Sequence, residues 1–349
     1  MRQRFPLLIV CISFCLAVNP ACTSRVDSQS QPAVDSQGRT ASRPQPEAPP
    51  EPVKPASILS ENTLFTVYGR SFNVAPILGR LGAYRHFEDM ERDVRPWVKG
   101  IGERHDKKGV IPALHLIYAM ATPCTPKLAD CLLYLEGRVP DIVGSYIEPA
   151  AKRGWMVVLD TQIGNSNPVQ QVKRMIEKGY LKYENVALAL DPEFHLRPGR
   201  QRPGIPIGTI KASQVNEVQQ MLDDYVREQR LQKKKVLIVH QFGDSNVDDG
   251  VPFMIENKKE LKVFENVEMV IDMDGLGKQA VKVVKYNKIT DAKAYPFIKF
   301  RAMKIFFPNR WEKHGHYDKP PLNLDQLFGV KPARNGPKIE AKPDVLIIA

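Results

Sequence analysis

Past residue 60, short apolar runs recur along the chain, and most of them close on polar residues. The runs are Leu64–Arg70, Val110–Met120, Trp155–Gly164, Val186–Glu193, Lys235–Phe242, Val267–Gly275, Pro296–Phe307 and Val345–Ala349. They are short and mostly β-branched, as parallel strands buried on both faces are. Between them the spacing turns helical over Arg138–Arg153, Pro168–Lys178 and Ala212–Arg230. The third is the clearest, with Val215, Val218, Met221, Leu222 and Val226 on one side. Ser213 is placed to cap it, with Asn216 and Glu217 in its first turn. Leu261 and Phe264 close a further helix before the sixth strand. Eight strands with intervening helices predict an α/β fold, a (β/α)₈ TIM-like barrel. It is irregular at its C-terminus, since no eighth helix follows the last strand. A doubly wound parallel sheet is the alternative, disfavoured because no Gly-rich nucleotide loop follows the first strand.

The ends of the runs carry the candidate chemistry. The fourth run, Val186–Leu190, leads straight into Asp191-Pro192-Glu193. Pro192 cannot donate to a sheet ladder, so the strand stops there. Two acids two residues apart on extended chain point the same way, together with Ala187 and Ala189. Other strand ends offer Tyr68 and Arg70, Asp160 and Gln162, His240 and Gln241, and Asp272 and Asp274, with His195 just beyond Glu193. In a barrel these ends meet on one face, where the active sites of such barrels lie. Each acid alone also reads as a cap of the following helix.

Composition changes the picture at the N-terminus. Arg2 and Arg4 precede an apolar stretch from Phe5 to Val18 and then Asn19-Pro20-Ala21-Cys22. The stretch is too short to span a bilayer and has the form of a signal peptide over residues 1–21. Cys22 is placed for lipidation, as in a bacterial lipoprotein signal, and ordinary cleavage near Ala21 is the alternative. Residues 22–60 are rich in Pro, Ser, Gln and Ala and nearly free of large apolar residues. Such a segment is expected to be a disordered spacer. Residues 61–349 are then a single barrel domain. The formal net charge of +11 falls to +9 when Arg2 and Arg4 leave with the leader. A basic extracytoplasmic protein suits anionic lipid or wall polymer as its surroundings. No nucleic-acid recognition motif is present. Lys233-Lys234-Lys235 reads as a solvated turn before a strand.

Cysteine use fits export. Cys124 and Cys131 remain as a pair after Cys11, Cys15 and Cys22 are set aside, and in an oxidising compartment they are expected to form a disulfide. No further ligands follow them at zinc spacing.

Paired carboxylates suit glycosidic cleavage, which needs one protonated acid and one ionised carboxylate. Here the chain resembles the barrel glycoside hydrolases. In chitinase-like members an Asp-x-Glu ends strand four and its Glu is the general acid. Asp191 and Glu193 match the end of that motif, while Ala187 and Ala189 stand where further acids are expected. The resemblance implies Glu193 as acid and Asp191 as its tuner. Asp272 or Asp274 is placed by strand order as base or nucleophile. The chain also resembles bacterial lipoproteins that carry an Ala-Leu-Asp-Pro-Glu strand and a Val-His-Gln-Phe strand, here Ala189–Glu193 and Val239–Phe242. That likeness implies a fold and no activity. The expectation is therefore a lipid-anchored, glycan-cleaving or glycan-binding protein that uses no cofactor and no metal. Its substrate contacts are Asp160, Gln162, His195, His240, Gln241, Tyr68, Arg70 and Trp311. Trp97 and Trp155 are weaker stacking candidates. A metal-dependent phosphodiesterase built on His240, Asp272 and Asp274 is one alternative, and a non-catalytic carbohydrate-binding lipoprotein is another. His314, His316 and Asp318 form a weaker metal candidate. His115 reads as a core histidine, and no Ser nucleophile elbow or His-Glu-x-x-His motif is present.

Overall fold

A computed structural model describes residues 54–75, 79–107, 109–243, 254–308 and 316–349. Eight strands form where the apolar runs lie. They are β1 Asn62–Gly69, β2 Gly109–Ala121, β3 Met156–Thr161, β4 Val186–Leu190, β5 Lys235–Gln241, β6 Val267–Met273, β7 Phe300–Ile305 and β8 Val345–Ile348. Every ladder between them is parallel. β1 pairs with β2 on one side, Asn62 opposite Gly109, and with β8 on the other, Leu64 opposite Val345. The sheet therefore closes into an eight-stranded barrel. A doubly wound sheet would leave two edge strands, and the barrel strands have none. Leu132–Tyr134 adds a short antiparallel flap to β2.

Helices cover the outside unevenly. α1 Phe87–Gly102 joins β1 to β2, and a π turn, Val143–Ile147, runs into α2 Glu148–Lys152. α3 Pro168–Glu177, α4 Ala212–Glu228 and α5 Gln279–Ile289 follow β3, β4 and β6. α6 is a single turn, Leu324–Leu327. Ser213 does not cap α4. The Lys211 amide instead donates to the Gln214 side chain at 3.0 Å, which puts Ser213 inside the first turn. The helix expected before β6 is also absent. Asn257 takes a left-handed conformation, a single 3-10 turn covers Lys258–Glu260, and the chain beyond is extended. Leu261 is buried and Phe264 half-buried on that extended segment.

Strand alternation sorts the core into two shells. Phe65, Leu114, Leu159, Leu188 and Val239 point outward under the helices. Leu64, Ala113, Val158, Ala187, Ile238 and Ile347 fill the barrel. The domain also begins earlier than residue 61. Ile58 and Leu59 are buried and belong to the interior shell, and Ala56 pairs with the chain at Gln232 and Lys234. Two apolar side chains in a Pro-rich stretch were enough to dock it beneath the barrel. There Glu268 accepts hydrogen bonds from the Ile58 amide at 3.0 Å, the Leu59 amide at 3.1 Å and the Ser57 hydroxyl. Lys235 is not in a solvated turn either. It starts β5 fully buried, its ammonium donating to the carbonyls of Tyr183 at 2.7 Å and Val186 at 3.2 Å. Cys124 and Cys131 are joined by a disulfide in the segment after β2. Cys22, the leader and Trp311 lie outside the described residues.

Candidate active site

Toward the open end of the barrel the inward positions turn from apolar to ionic. Asp160 ends the inward positions of β3, His240 those of β5 and Asp272 those of β6, with Asp191 and Asp274 one step beyond β4 and β6. All five are buried. Tyr68 on β1 closes the ring from the side. The sequence reading of these residues as neighbours on one face is met.

Two residues without a site role in the sequence reading complete the cluster. His115, on β2 opposite Tyr68, is fully buried, and its Nε2 lies 3.4 Å from an Asp160 oxygen. Lys304, inward on β7, places its ammonium 3.0 Å from both Asp274 oxygens and 3.7 Å from the centre of the Tyr68 ring. Lys304 was hidden inside an apolar run, and His115 has no polar neighbour in sequence. The inward phase of their strands, shared with Ala302 and Ala113, is the signal that would have found them.

His240 lies at the centre. Its Nδ1 hydrogen-bonds Asp272 at 2.7 Å and lies 3.3 Å from Asp274, while its Nε2 lies 3.3 Å from Asp160. Burial and Lys304 both oppose charge on His240, but Asp274 and Asp160 outweigh them and raise its pKa well above the ordinary value. Burial pushes His115 down to about 4 in spite of Asp160. Burial also works against the Asp160 charge, yet His240 and His115 hold that carboxyl below the usual range. Burial drives Asp191 well above it, with His240 opposing and Asp160 and Asp274 adding to the rise. Asp274 is raised by burial against the pull of Lys304.

Glu193 differs from the others. It is half-buried at the rim. Burial lifts it to about 7, and Asp274 adds to the rise while Lys304 and His240 oppose it. It reaches the mouth by a 3-10 turn, Pro192–Phe194, and not by strand alternation. Gly208 holds that turn, its amide donating to the Glu193 carbonyl at 2.7 Å. A Cβ on Gly208 would stand 2.1 Å from the His195 carbonyl oxygen and 2.4 Å from that of Pro192.

The other expected contacts divide. Gln162 is buried beside the cluster, its side-chain carbonyl accepting from the Ala121 amide at 2.8 Å. Arg70 lines a neighbouring cavity of about 230 Å³ with Ile117, Tyr134 and Arg138. Gln241 is not in the site. As the neighbour of inward His240 it must face outward, and its side chain bonds Lys258 and the Gly243 carbonyl. His195 turns away too, because the 3-10 turn breaks the alternation and its Nδ1 meets the Thr209 carbonyl. Asp318 is held by Lys282 at 2.8 Å and by the amides of Gly277 and Phe306, so it is not a free metal ligand. Trp155 packs in the core against Phe87. Trp97 stacks on Phe65 outside the barrel. There it lines a groove of about 680 Å³ between α1 and residues 321–325, which includes none of the acids.

Among the described residues, two sets have the composition to hold a metal ion: His115, Asp160 and His240, and His240, Asp272 and Asp274. The second is already occupied by the Nδ1 hydrogen bond and the Lys304 ammonium. Comparison with known proteins gave no match to a family model, a curated protein or a solved structure.

Proposed function

We propose that the protein is a cell-surface hydrolase that cleaves glycosidic bonds at the open end of the barrel, with Glu193 as general acid. The observation that carries this reading is the contrast between two carboxylates at one mouth. Glu193, after β4, stands half-buried at the rim with no cation in salt-bridge range among the described residues, and Asp274, after β6, is held by the Lys304 ammonium. Environments that separate two carboxyls in this way assign one to proton donation and the other to the ionised role. Asp274 is preferred over Asp272 as base or nucleophile. Asp272 is fully buried and committed to His240, while Asp274 lies higher and retains slight exposure. Asp191 backs Glu193 from within the barrel. Tyr68 and Gln162 form the wall, and Arg70 borders the adjacent cavity.

The surface location rests on the leader, the Ala21-Cys22 junction and a disulfide of the kind that persists outside the cytoplasm. Among the described residues no helix is long and apolar enough to cross a membrane, so a lipid on Cys22 is the proposed anchor. Cys22→Ser should release the protein from the membrane fraction, and unchanged membrane retention would remove the anchor. For the activity, the purified chain is incubated with wall and extracellular polysaccharides and products are detected by mass. Cleavage by wild type that Glu193→Gln abolishes is the expected result. Cleavage that survives Glu193→Gln would reject the assignment.

A further inference from the structure

We infer that His115, Asp160 and His240 form a binding site for a divalent transition-metal ion beneath the carboxylates of the mouth. This goes beyond the glycosidic reading and does not depend on it. Three strands supply the ligands. His115 comes from β2, Asp160 from β3 and His240 from β5, all with side chains fully buried. Between β3 and β5 the strand β4 presents only Ala189, paired in register with Asp160, so a methyl group faces the space that a larger side chain would fill.

The distances fit an ion better than hydrogen bonds. The His115 and His240 Nε2 atoms lie 3.4 and 3.3 Å from the same Asp160 oxygen. Neither contact meets hydrogen-bond geometry. Among the described residues, neither Nε2 atom and neither Asp160 oxygen has a hydrogen-bond partner, although all four are buried. Buried polar atoms are rarely left in that state. Ligand atoms about 2.1 Å from one ion stand roughly 3.0–3.4 Å apart in octahedral or tetrahedral geometry. The candidate ligand atoms all lie within 4.8 Å of one another.

The second ring of contacts points the same way. A ligating histidine usually binds a carboxylate or another acceptor through its other nitrogen, which fixes the ring. His240 Nδ1 bonds Asp272 at 2.7 Å, and His115 Nδ1 faces the Thr66 hydroxyl at 3.4 Å. Charge also favours a cation, because Asp160, Asp272 and Asp274 converge on His240 while Lys304 pairs only with Asp274. Two imidazoles and one carboxylate suit zinc and its first-row neighbours rather than magnesium or calcium.

The test uses metal alone, without substrate. The purified full chain is stripped with a chelator and titrated with Zn²⁺ by calorimetry, and Co²⁺ is followed by its visible absorption. One ion per chain is expected, with a rise in melting temperature. Asp272→Asn should weaken binding about 10–100-fold through its hold on His240. His115→Gln should weaken it further, and Asp274→Asn should leave it within a few-fold. Should His115→Gln fail to fold, Asp160→Asn, which keeps the shape, replaces it. Absence of stoichiometric Zn²⁺ and Co²⁺ binding to wild type overturns the site. So does binding that Asp274→Asn destroys while the His115 or Asp160 variant spares it. Loss of glycan cleavage is not part of this test, so the two readings fail separately.

Discussion

The two ends of the barrel interior hold carboxylates in opposite ways. At the floor Glu268 is buried and saturated, taking donors from Ser57, Ile58 and Leu59. At the mouth both Asp160 oxygens, and one each on Asp191 and Asp272, are buried without a hydrogen-bond donor among the described residues. The residue chemistry is nearly the same, and so is the depth. What differs is whether the chain folds its own donors onto the charge. A carboxylate closed off by backbone amides fixes the structure and can do little else. Carboxylates left facing imidazoles and one ammonium keep capacity for a ligand, an ion or a proton, at a cost in stability. The first arrangement reads as structure and the second as function.

The largest expected effect tests the mouth. A positioned general acid contributes roughly 10²–10⁴-fold in rate. Glu193→Gln keeps the shape of the rim and removes the titrating group. It should lower turnover of the identified glycan by about that factor, with an unchanged melting temperature at about pH 3, where Glu193 is largely protonated in both the folded and the unfolded state. A fall in melting temperature matching the loss of rate would make Glu193 a structural residue like Glu268.

The next test inverts the comparison. Glu268→Ala removes the acceptor from two buried amides, each worth about 1–3 kcal/mol when left unpaired. The melting temperature should drop by roughly 2–4 °C for each kcal/mol lost. Catalysis measured well below that temperature should persist, because the floor and the mouth are separated by the apolar interior shell. A variant as stable as wild type would show that the Ile58–Leu59 plug is not held by the carboxylate.

Much of this was legible in the residues, for identifiable reasons. Eight strands are apparent because strands buried on both faces must be apolar for their whole length, and no other element type competes for Val-Ile-Leu runs that short. The acids of β3, β4 and β6 are apparent because they end such runs. The helix before β6 was misread because Leu261 and Phe264 are three apart, a spacing that fits a helix and equally an extended segment whose side chains dock singly. Gln241 cannot share a face with His240, its neighbour on the strand, so strand alternation alone places it outside the site. Lys304 and His115 are marked in sequence only by the inward phase of their strands, and their partners Asp274 and Asp160 come from the neighbouring strands β6 and β3. The metal set depends on the sheet bringing β5 round to β2 and β3.

A subtler effect concerns pH at the rim. The Glu193 carboxyl lies at about 7, above its ordinary value of about 4.3, because of burial and then Asp274. A group whose pKa is raised on folding favours the folded state below its unfolded pKa and loses that contribution as pH rises through the folded pKa. Wild type should therefore lose stability relative to Glu193→Gln between about pH 4 and pH 7. Over the upper part of that range the rate should fall along an alkaline limb centred near 7, since the acid must be protonated to act. An activity still rising at pH 9 would exclude Glu193 as the donor.

The last effect belongs to Lys235, near the floor, where the contrast is least clean. Its ammonium is hydrogen-bonded to two carbonyls, so its donors are partly satisfied, but among the described residues no carboxylate lies within ion-pair distance. Burial lowers it to about 7, with distant Glu184 opposing. In the unfolded chain a lysine titrates near 10.4. Between these values the unfolded state binds more protons than the folded one, so stability rises with pH across that window. Below pH 7 the buried charge is present and its cost is complete. By about pH 10 the folded protein holds a neutral amine and the cost has largely gone. Lys235→Met removes the titration and leaves the two carbonyls without this donor at every pH. The melting temperature of the variant minus that of wild type should therefore be greatest at or below pH 7 and decline steadily toward pH 10. The slope is the test, because lost hydrogen bonds shift the whole curve without tilting it. A difference that stays flat with pH would mean that Lys235 is as fully compensated as Glu268, and that hydrogen bonds donated to carbonyls alone can settle a buried ammonium at this end of the barrel.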